Sequence, residues 1–336
     1  MIQATRITME HGSGGRATGE LIEEIFASAF KDETLRRMED SAVVSGSGQI
    51  AVTTDSFVVT PLVFRGGDIG RLCVCGTVND LLMRGAVPKY LTCGFILEEG
   101  LEISILKRIV QSLADTAAEA GVRIIAGDTK VVEGSGGLFI NTTGVGFVPG
   151  GIDIAAANAR EGDAILVSGT MGDHHAAILG ERLAIESDIA SDCAPLGGIV
   201  QGLIGAGIHV HTFRDVTRGG LATVLKELAE SSGKQFVVEE DSVPVSAKVR
   251  SFCGLLGLDP LYMGNEGKLV AIVPQEEAQR ALEIMRGAEY GENAAIIGSV
   301  TEPGADSAPG ELYMKTPIGG VRKLSVLQGE GLPRIC

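Results

Sequence analysis

Apolar positions recur along this chain with two periods, and the switching between them marks out strands and helices. Residues 49–61 (QIAVTTDSFVVTP) alternate apolar and polar side chains and predict a strand. Residues 68–86 predict a helix with apolar positions at Ile69, Leu72, Val74, Val78, Leu81 and Leu82, stopped by Gly85. A strand over 90–97 precedes a helix over 101–120, whose stripe runs from Ile105 through Ile109 and Leu113 to Ala117 and ends at Gly121. A buried strand at 122–126 then leads into Gly127-Asp128-Thr129-Lys130, and a further strand spans 136–149.

The pattern restarts after Gly150-Gly151. A strand near 164–169 leads through a Gly169/Gly172 turn into a helix beginning near Asp173-His174-His175. Helices are predicted over 195–207 and 217–232, the second introduced by Arg214-Asp215-Val216-Thr217-Arg218-Gly219-Gly220. Gly264-Asn265-Glu266-Gly267-Lys268 precedes an apolar strand (LVAIV), then a helix at 275–287 and a strand at 293–300. Beyond a polar linker, ELYMKTPIGGVRKLSVL predicts two short strands across a Pro-Ile-Gly-Gly turn. This organisation gives an N-terminal domain over 1–150, a second α/β domain over 151–303, and a hairpin with a mobile tail over 304–336.

Composition narrows the function classes. With 336 residues the chain is long enough for two cores, and 45% hydrophobic residues favour packing over disorder. A net charge of −15 weighs against binding to nucleic acid or an anionic membrane surface, and only 4% aromatic residues argue against an aromatic nucleic-acid platform. No basic segment followed by an apolar run opens the sequence, and no stretch is long and apolar enough for a membrane span. The expected compartment is the cytoplasm. Six cysteines at 73, 75, 93, 193, 253 and 336 show no paired spacing, so five read as small buried hydrophobes. The sixth, Cys336, follows Gly-Glu-Gly-Leu-Pro-Arg-Ile and reads as a thiol on a mobile arm.

An acidic protein that takes a phosphate ligand must use local amides, a few cations or bridging Mg²⁺. His11-Gly12-Ser13-Gly14-Gly15, ahead of an amphipathic helix (Leu21, Ile22, Ile25, Phe26), is a glycine-rich turn of the kind that aims N–H groups at phosphate, but it lacks the GK[ST] ending of a P-loop. Asp40 and Asp55 are acids beside or inside apolar strand sequence, where a carboxylate needs an edge, a partner or a metal. Asn79 and Asp80 sit against propensity in a helix. Asp128, Thr129 and Lys130, read at a strand's C-terminal end, suit a Mg²⁺–phosphate group. His209 and His211 alternate in what reads as a short strand; without a third ligand nearby, a metal site there is the minor reading.

The motifs HGSGG (11–15), DSFVV (55–59), GGDIG (66–70), CGTVNDLLMRGA (75–86), AGDTKVV (126–132), RDVTRGG (214–220), GNEGK (264–268) and the closing PRIC together resemble the HypE family of hydrogenase maturation proteins. That family falls in the aminoimidazole ribonucleotide synthetase-like superfamily, with selenophosphate synthetase and thiamine monophosphate kinase. The resemblance implies a two-domain α/β (α+β) fold whose N-terminal domains pair into a dimeric β-barrel, with ATP near that interface. It implies a lyase-type activity, ATP-dependent dehydration of a carbamoyl group on Cys336 to a thiocyanate, supplying cyanide for the iron of [NiFe]-hydrogenase. The implied partners are the carbamoyltransferase HypF and the HypC–HypD complex. Carried over by position, Asp40, Asp55, Asp80 and Asp128 form the Mg²⁺–phosphate shell, supported by Asn79 and Thr129. His11 and Gly12 to Gly15 line the phosphates, Lys130 steadies the transferring phosphoryl group, and Glu266 is the base that removes the carbamoyl nitrogen protons. Two positions depart from the pattern: His175 replaces a glycine and Val216 a proline. A selenophosphate synthetase-like phosphotransferase would carry its cysteine near the N-terminus, where this chain has none before Cys73. A purine-pathway ligase has no use for Cys336, and a docking scaffold has no need of the carboxylates.

Overall fold

The computed structural model describes residues 4–8, 11, 20–32, 46, 48–303, 308–328 and 334–336. These fall into two compact units: the described residues to Leu81 with Ala86–Gly150 and Arg334–Cys336, and Leu82–Gly85 with Gly151–Pro333. The hairpin expected to stand apart after residue 303 belongs to the second unit, and Arg334–Cys336 to the first.

The first unit is built on β1 (Gln49–Phe57), a short ribbon of β2 (Val63–Phe64) and β3 (Gly67–Asp68), β4 (Val87–Glu98), β5 (Arg123–Val132) and β6 (Leu138–Val148). Its main sheet has the order β1-β6-β4-β5, with β4 and β5 parallel and the other pairs antiparallel. One face of this open sheet is covered. Along β1 that face carries Ala51, Thr53, Asp55 and Phe57, while Ile50, Val52, Thr54 and Ser56 point to solvent.

Helix α1 (Ile69–Leu82) packs on the covered face. Glycines permit the approach: a Cβ on Gly76 would meet the Phe57 ring at 2.9 Å, and one on Gly144 would meet Thr77 Cγ2 at 2.7 Å. Asp68 starts α1 by accepting the N–H groups of Gly70 and Arg71 at 2.9 and 3.0 Å. Helix α2 (Ile103–Glu119) buries the predicted stripe of Leu106, Ile109, Val110 and Leu113. It crosses α1 so closely that a Cβ on Gly70 would lie 2.2 Å from the Ile109 carbonyl oxygen.

The second unit holds β7 (Asp163–Val167), α3 (Asp173–Arg182), α4 (Gly197–Gly205), β8 (Thr212–Asp215), α5 (Gly220–Ser232), β9 (Gln235–Glu239), α6 (Ala247–Leu256), β10 (Leu269–Pro274), α7 (Ala278–Gly287), β11 (Ala295–Thr301), β12 (Leu312–Lys315) and β13 (Val321–Leu324). Its seven strands run in the order β13-β12-β9-β11-β7-β10-β8. The interior strand β7 is buried at every position, as expected for a strand covered on both faces. The core joins α5 to the sheet through Leu221, Leu225, Leu228, Phe236, Val270 and Ile297. Among the described residues no helix is long and apolar enough to cross a membrane.

Candidate active site

Asp55 and Asp80 sit where the edge strand β1 meets α1. Thr53 and Asp55 share the helix-facing side of β1. Thr53 Oγ1 donates to Asp80 Oδ2 at 2.7 Å. Asp55 Oδ2 lies 3.9 Å from the position a Cβ on Gly76 would take, one helical turn before Asp80. Strand and helix therefore bring Asp55 and Asp80 to one surface, and buried Asn79 precedes Asp80 in the same turn. The unexpected acid inside a strand is explained by its place on an edge strand.

The C-terminal segment meets the chain just beyond β1. Val58 N–H donates to the Cys336 carbonyl at 3.1 Å, and Thr60 N–H donates to the Arg334 carbonyl at 3.0 Å. Residues 334–336 thus lie along the continuation of β1, just past Asp55. Ile335 is buried and Cys336 is half-buried. In this structure the thiol-bearing segment is seated, because N–H groups just past β1 pair with its carbonyls and Ile335 is buried.

Asp128 and Lys130 occupy a different surface. The sequence places them at a strand's end, yet β5 runs on to Val132 because residues 128–132 pair with Gly94–Glu98 of β4. They fall mid-strand. Asp128 aligns with Gly94, Asn141 and Ser56 across the sheet, on the face opposite Asp55. Lys130 Nζ contacts both Asp128 carboxylate oxygens at 2.7 and 2.6 Å, and this lysine bond holds the Asp128 carboxyl below its usual range. Thr129 aligns with Phe95, Ile140 and Phe57 on the covered side. His11 is buried, its Nδ1 taken by the N–H and hydroxyl of Thr8 at 3.1 and 3.0 Å. Gly12, Ser13, Gly14, Gly15 and Asp40 lie outside the described residues.

In the second unit three motifs distant in sequence are tied together around Glu266 by hydrogen bonds of the backbone and of Asn265. Asn265 Oδ1 accepts the Gly172 N–H at 2.7 Å, and His175 N–H donates to Gly264 O at 3.1 Å. Val216 N–H donates to Lys268 O at 2.8 Å, and Asn265 N–H to Val216 O at 3.1 Å. The two departures are thereby accounted for: His175 still makes the close backbone approach, and Val216 supplies an N–H that proline lacks. Gly219 and Gly220 take φ of 82° and 67°, and a Cβ on Gly220 would meet Leu261 O at 2.5 Å. Glu266 is 4% exposed, and its N–H donates to Asp192 Oδ1 at 3.1 Å.

Sequence reading missed Asp192 beside it and gave Lys268 and Asp173 no role of their own. Asp192 Oδ2 has no hydrogen-bond partner among the described residues but faces Lys268 Nζ at 3.4 Å, an ion pair held by charge alone. The Lys268 stem passes over Gly169, where a Cβ would lie 3.0 Å from Cε. Asp173 accepts from Thr170 Oγ1 at 2.6 Å, and its carboxyl is pushed up by burial, with the negative charge of Asp192 adding to it. Burial drives the His175 imidazole down to about 4, helped by the charges of His174 and Arg182. His209 and His211 precede β8 and go to separate partners, Glu277 at 2.6 Å and Asp163 at 2.8 Å. Among the described residues no group of three or more His, Cys, Asp or Glu is placed to hold a metal ion.

Comparison with known proteins places this architecture. Residues 38–148 match the AIR synthase related protein, N-terminal domain, and residues 160–309 its C-terminal domain. A protein of Rhodobacter capsulatus named carbamoyl dehydratase HypE is 48% identical over 339 residues, covering 98% of each chain. The chain belongs to the HypE family. A solved structure of hydrogenase maturation protein HypE in complex with ATP superposes with a TM-score of 0.94 at 48% identity, covering 98% of this chain and 99% of that one. A HypE chain solved in a HypE–HypF complex superposes with a TM-score of 0.79 at 46% identity, covering 91% of this chain and 99% of that one. Family membership and the two-domain fold therefore rest on nearly the full length of both chains.

Proposed function

We propose that this chain is an ATP-dependent carbamoyl dehydratase of hydrogenase maturation, and that the group dehydrated is a carbamoyl on the Cys336 sulfur. The observation that carries this is the seat of Cys336: its carbonyl is bound at Val58, directly past the Asp55–Asp80 surface. A relative named carbamoyl dehydratase HypE supports the reaction class, and a solved structure of hydrogenase maturation protein HypE in complex with ATP supports the nucleotide.

The chemistry balances as follows. The carbamoyl oxygen takes the γ-phosphoryl group of ATP and ADP leaves. The oxygen then departs as phosphate, and the nitrogen gives up its two protons as the carbon–nitrogen bond becomes triple. The net change is S–C(O)NH₂ to S–C≡N, with the elements of water carried off by ATP cleavage. Glu266 is the base in this reading. Two carboxylates on one surface suit Mg²⁺, which is held by one or two carboxylates plus phosphate oxygens and neutralises charge there when bound. Asp55 and Asp80 are the residues to hold it.

Asp128 and Lys130 lie on the open face of the sheet, which also exposes the apolar side chains of Ile50, Val52, Ile96 and Val132 (52, 64, 44 and 39%). A second copy of this chain covers it in our reading, closing the two sheets into a shared barrel and bringing Lys130 to the phosphates. The loading partner is HypF, supported by a solved HypE–HypF complex, and the thiocyanate passes to HypC–HypD for the iron of [NiFe]-hydrogenase. Incubating the chain with HypF, carbamoyl phosphate and Mg-ATP and following ADP release tests the acid surface. Asp80→Asn is expected to lower the rate at least tenfold while Cys336 is still loaded; an unchanged rate removes Asp80 from the site.

A further inference from the structure

Glu266 lies in the bend before β10, outside the strand itself, so no ladder fixes its place. The loop of residues 191–194 grips it from both sides. Asp192 Oδ1 accepts the Glu266 N–H at 3.1 Å, and the Ala194 N–H donates to the Glu266 carbonyl at 3.4 Å. The same loop sits directly on Gly267, where a Cβ would lie 1.9 Å from the Asp192 carbonyl oxygen and 2.9 Å from Ala194 N. The loop is itself anchored: Cys193, Ala194 and Leu196 are buried, and Ser191 Oγ accepts the Cys193 N–H at 3.1 Å and bonds His174 Nδ1 at 2.7 Å.

Accepting one N–H needs only one oxygen, and an asparagine would supply it. Asp192 instead buries a second oxygen, Oδ2, which has no hydrogen-bond partner among the described residues and faces the Lys268 ammonium at 3.4 Å. Lys268 Nζ also donates to the Gly267 carbonyl at 3.2 Å. One carboxylate thus holds the bend at Glu266 and again just beyond it. A buried ion pair adds little net stability over packed apolar side chains, so its use here points to placement of the bend. A base must sit within hydrogen-bond reach of the proton it takes, and a displacement of about 1 Å can cost about 100-fold in rate. We propose that Asp192 is a positioning residue for Glu266, its two oxygens fixing the bend that carries the base. That Glu266 is the base rests on the dehydratase reading above; the grip on its peptide does not.

Two readouts on the native full chain test this. Hydrogen exchange, followed by mass spectrometry on a peptide spanning 264–268, is expected to show one amide exchanging at least about tenfold faster in Asp192→Ala. In the same preparations, loaded with carbamoyl by HypF, ATP-dependent loss of water read by intact mass is expected to slow at least about tenfold in Asp192→Ala, with the ATP concentration for half-maximal rate unchanged. Asp192→Asn keeps an acceptor for the Glu266 N–H and is expected to recover most of that loss. Phe236→Leu, which loosens the core between α5 and the sheet of the same unit, is expected to dehydrate at the wild-type rate, and so separates placement from lost stability. Melting curves check that each variant is folded at the assay temperature. Where the wild type dehydrates, a folded Asp192→Ala that exchanges or dehydrates at the wild-type rate overturns the proposal. Asp192→Asn as slow as Asp192→Ala, or Phe236→Leu slowed as much, overturns it too. Faster exchange in Asp192→Ala with no loss of water in any protein, wild type included, keeps the grip and sinks the dehydratase reading instead.

Discussion

Lys268 and Asp192 offer a stability test whose size follows from geometry. Their charged atoms are 3.4 Å apart, with side-chain exposures of 10 and 5%. At an effective dielectric of about 20 such a pair attracts by about 5 kcal/mol, most of it offset by desolvation. Lys268→Met keeps the stem over Gly169 but leaves Asp192 buried with Asp173 as a like-charged neighbour. Stranding one member of a buried pair costs about 3–5 kcal/mol, and we expect about 3, because Asp192 Oδ1 keeps the Glu266 N–H. Asp192→Asn retains that acceptor, and Lys268 retains its bond to Gly267 O at 3.2 Å, so about 2 kcal/mol is expected there. The double variant strands no charge and is expected to fall short of the sum by about 2 kcal/mol. Urea unfolding of the full chain, followed in the second unit by a probe on α5, measures all four corners of the cycle. Additivity within about 0.5 kcal/mol would refute the claim that these two side chains are stabilised by one another.

Three further outcomes follow from the packing and the shifted acids. Gly70→Ala puts a Cβ 2.2 Å from the Ile109 carbonyl and 3.1 Å from Asp68 Oδ1, atoms that cannot swing away, so the first unit should lose about 2–3 kcal/mol by calorimetry despite the better helix former. His175 binds its proton in the folded chain only near pH 4, whereas the unfolded chain binds one near 6.5; stability therefore falls as pH drops through that window, by about 3 kcal/mol at most, and His175→Gln should flatten it in urea titrations at stepped pH. Asp173 has the opposite sign: its folded carboxyl protonates above 3.8, so its contribution declines as pH rises through the raised value, and Asp173→Asn should be the more stable protein at neutral pH; a less stable Asp173→Asn would show that its bonds to Thr170 and Ser246 outweigh burial.

Much of this arrangement is legible in the chain because the informative signals are local. Helix α2 buries the stripe its periodicity marks, and glycines at 85 and 121 end helices where expected, at φ of 67° and 68°. Asp55 and Asp80 stand out because each contradicts its element's preference. What escaped the sequence is long-range. β5 continues through Asp128–Val132 because β4 offers a partner and one sheet face is open, and its alternating exposure is the trace that a polar run can still be a strand. β12 joins the second unit by parallel pairing with β9, far back in the chain, which no hairpin signal announces. Asp192 sits in a loop with no motif, and only folding brings it to Lys268. Two of the bonds that hold residues 334–336 are backbone bonds, which have no side-chain signature.

The claim that Cys336 carries the reacting group is tested most directly by intact mass of the chain incubated with HypF, carbamoyl phosphate and Mg-ATP, beside Cys336→Ala. A carbamoyl adduct that then loses one water, in the wild type alone and only with ATP, is the predicted result. ATP consumption with no adduct on Cys336, or an adduct equally present on Cys336→Ala, would contradict it and turn attention to phosphoryl transfer onto a free small molecule.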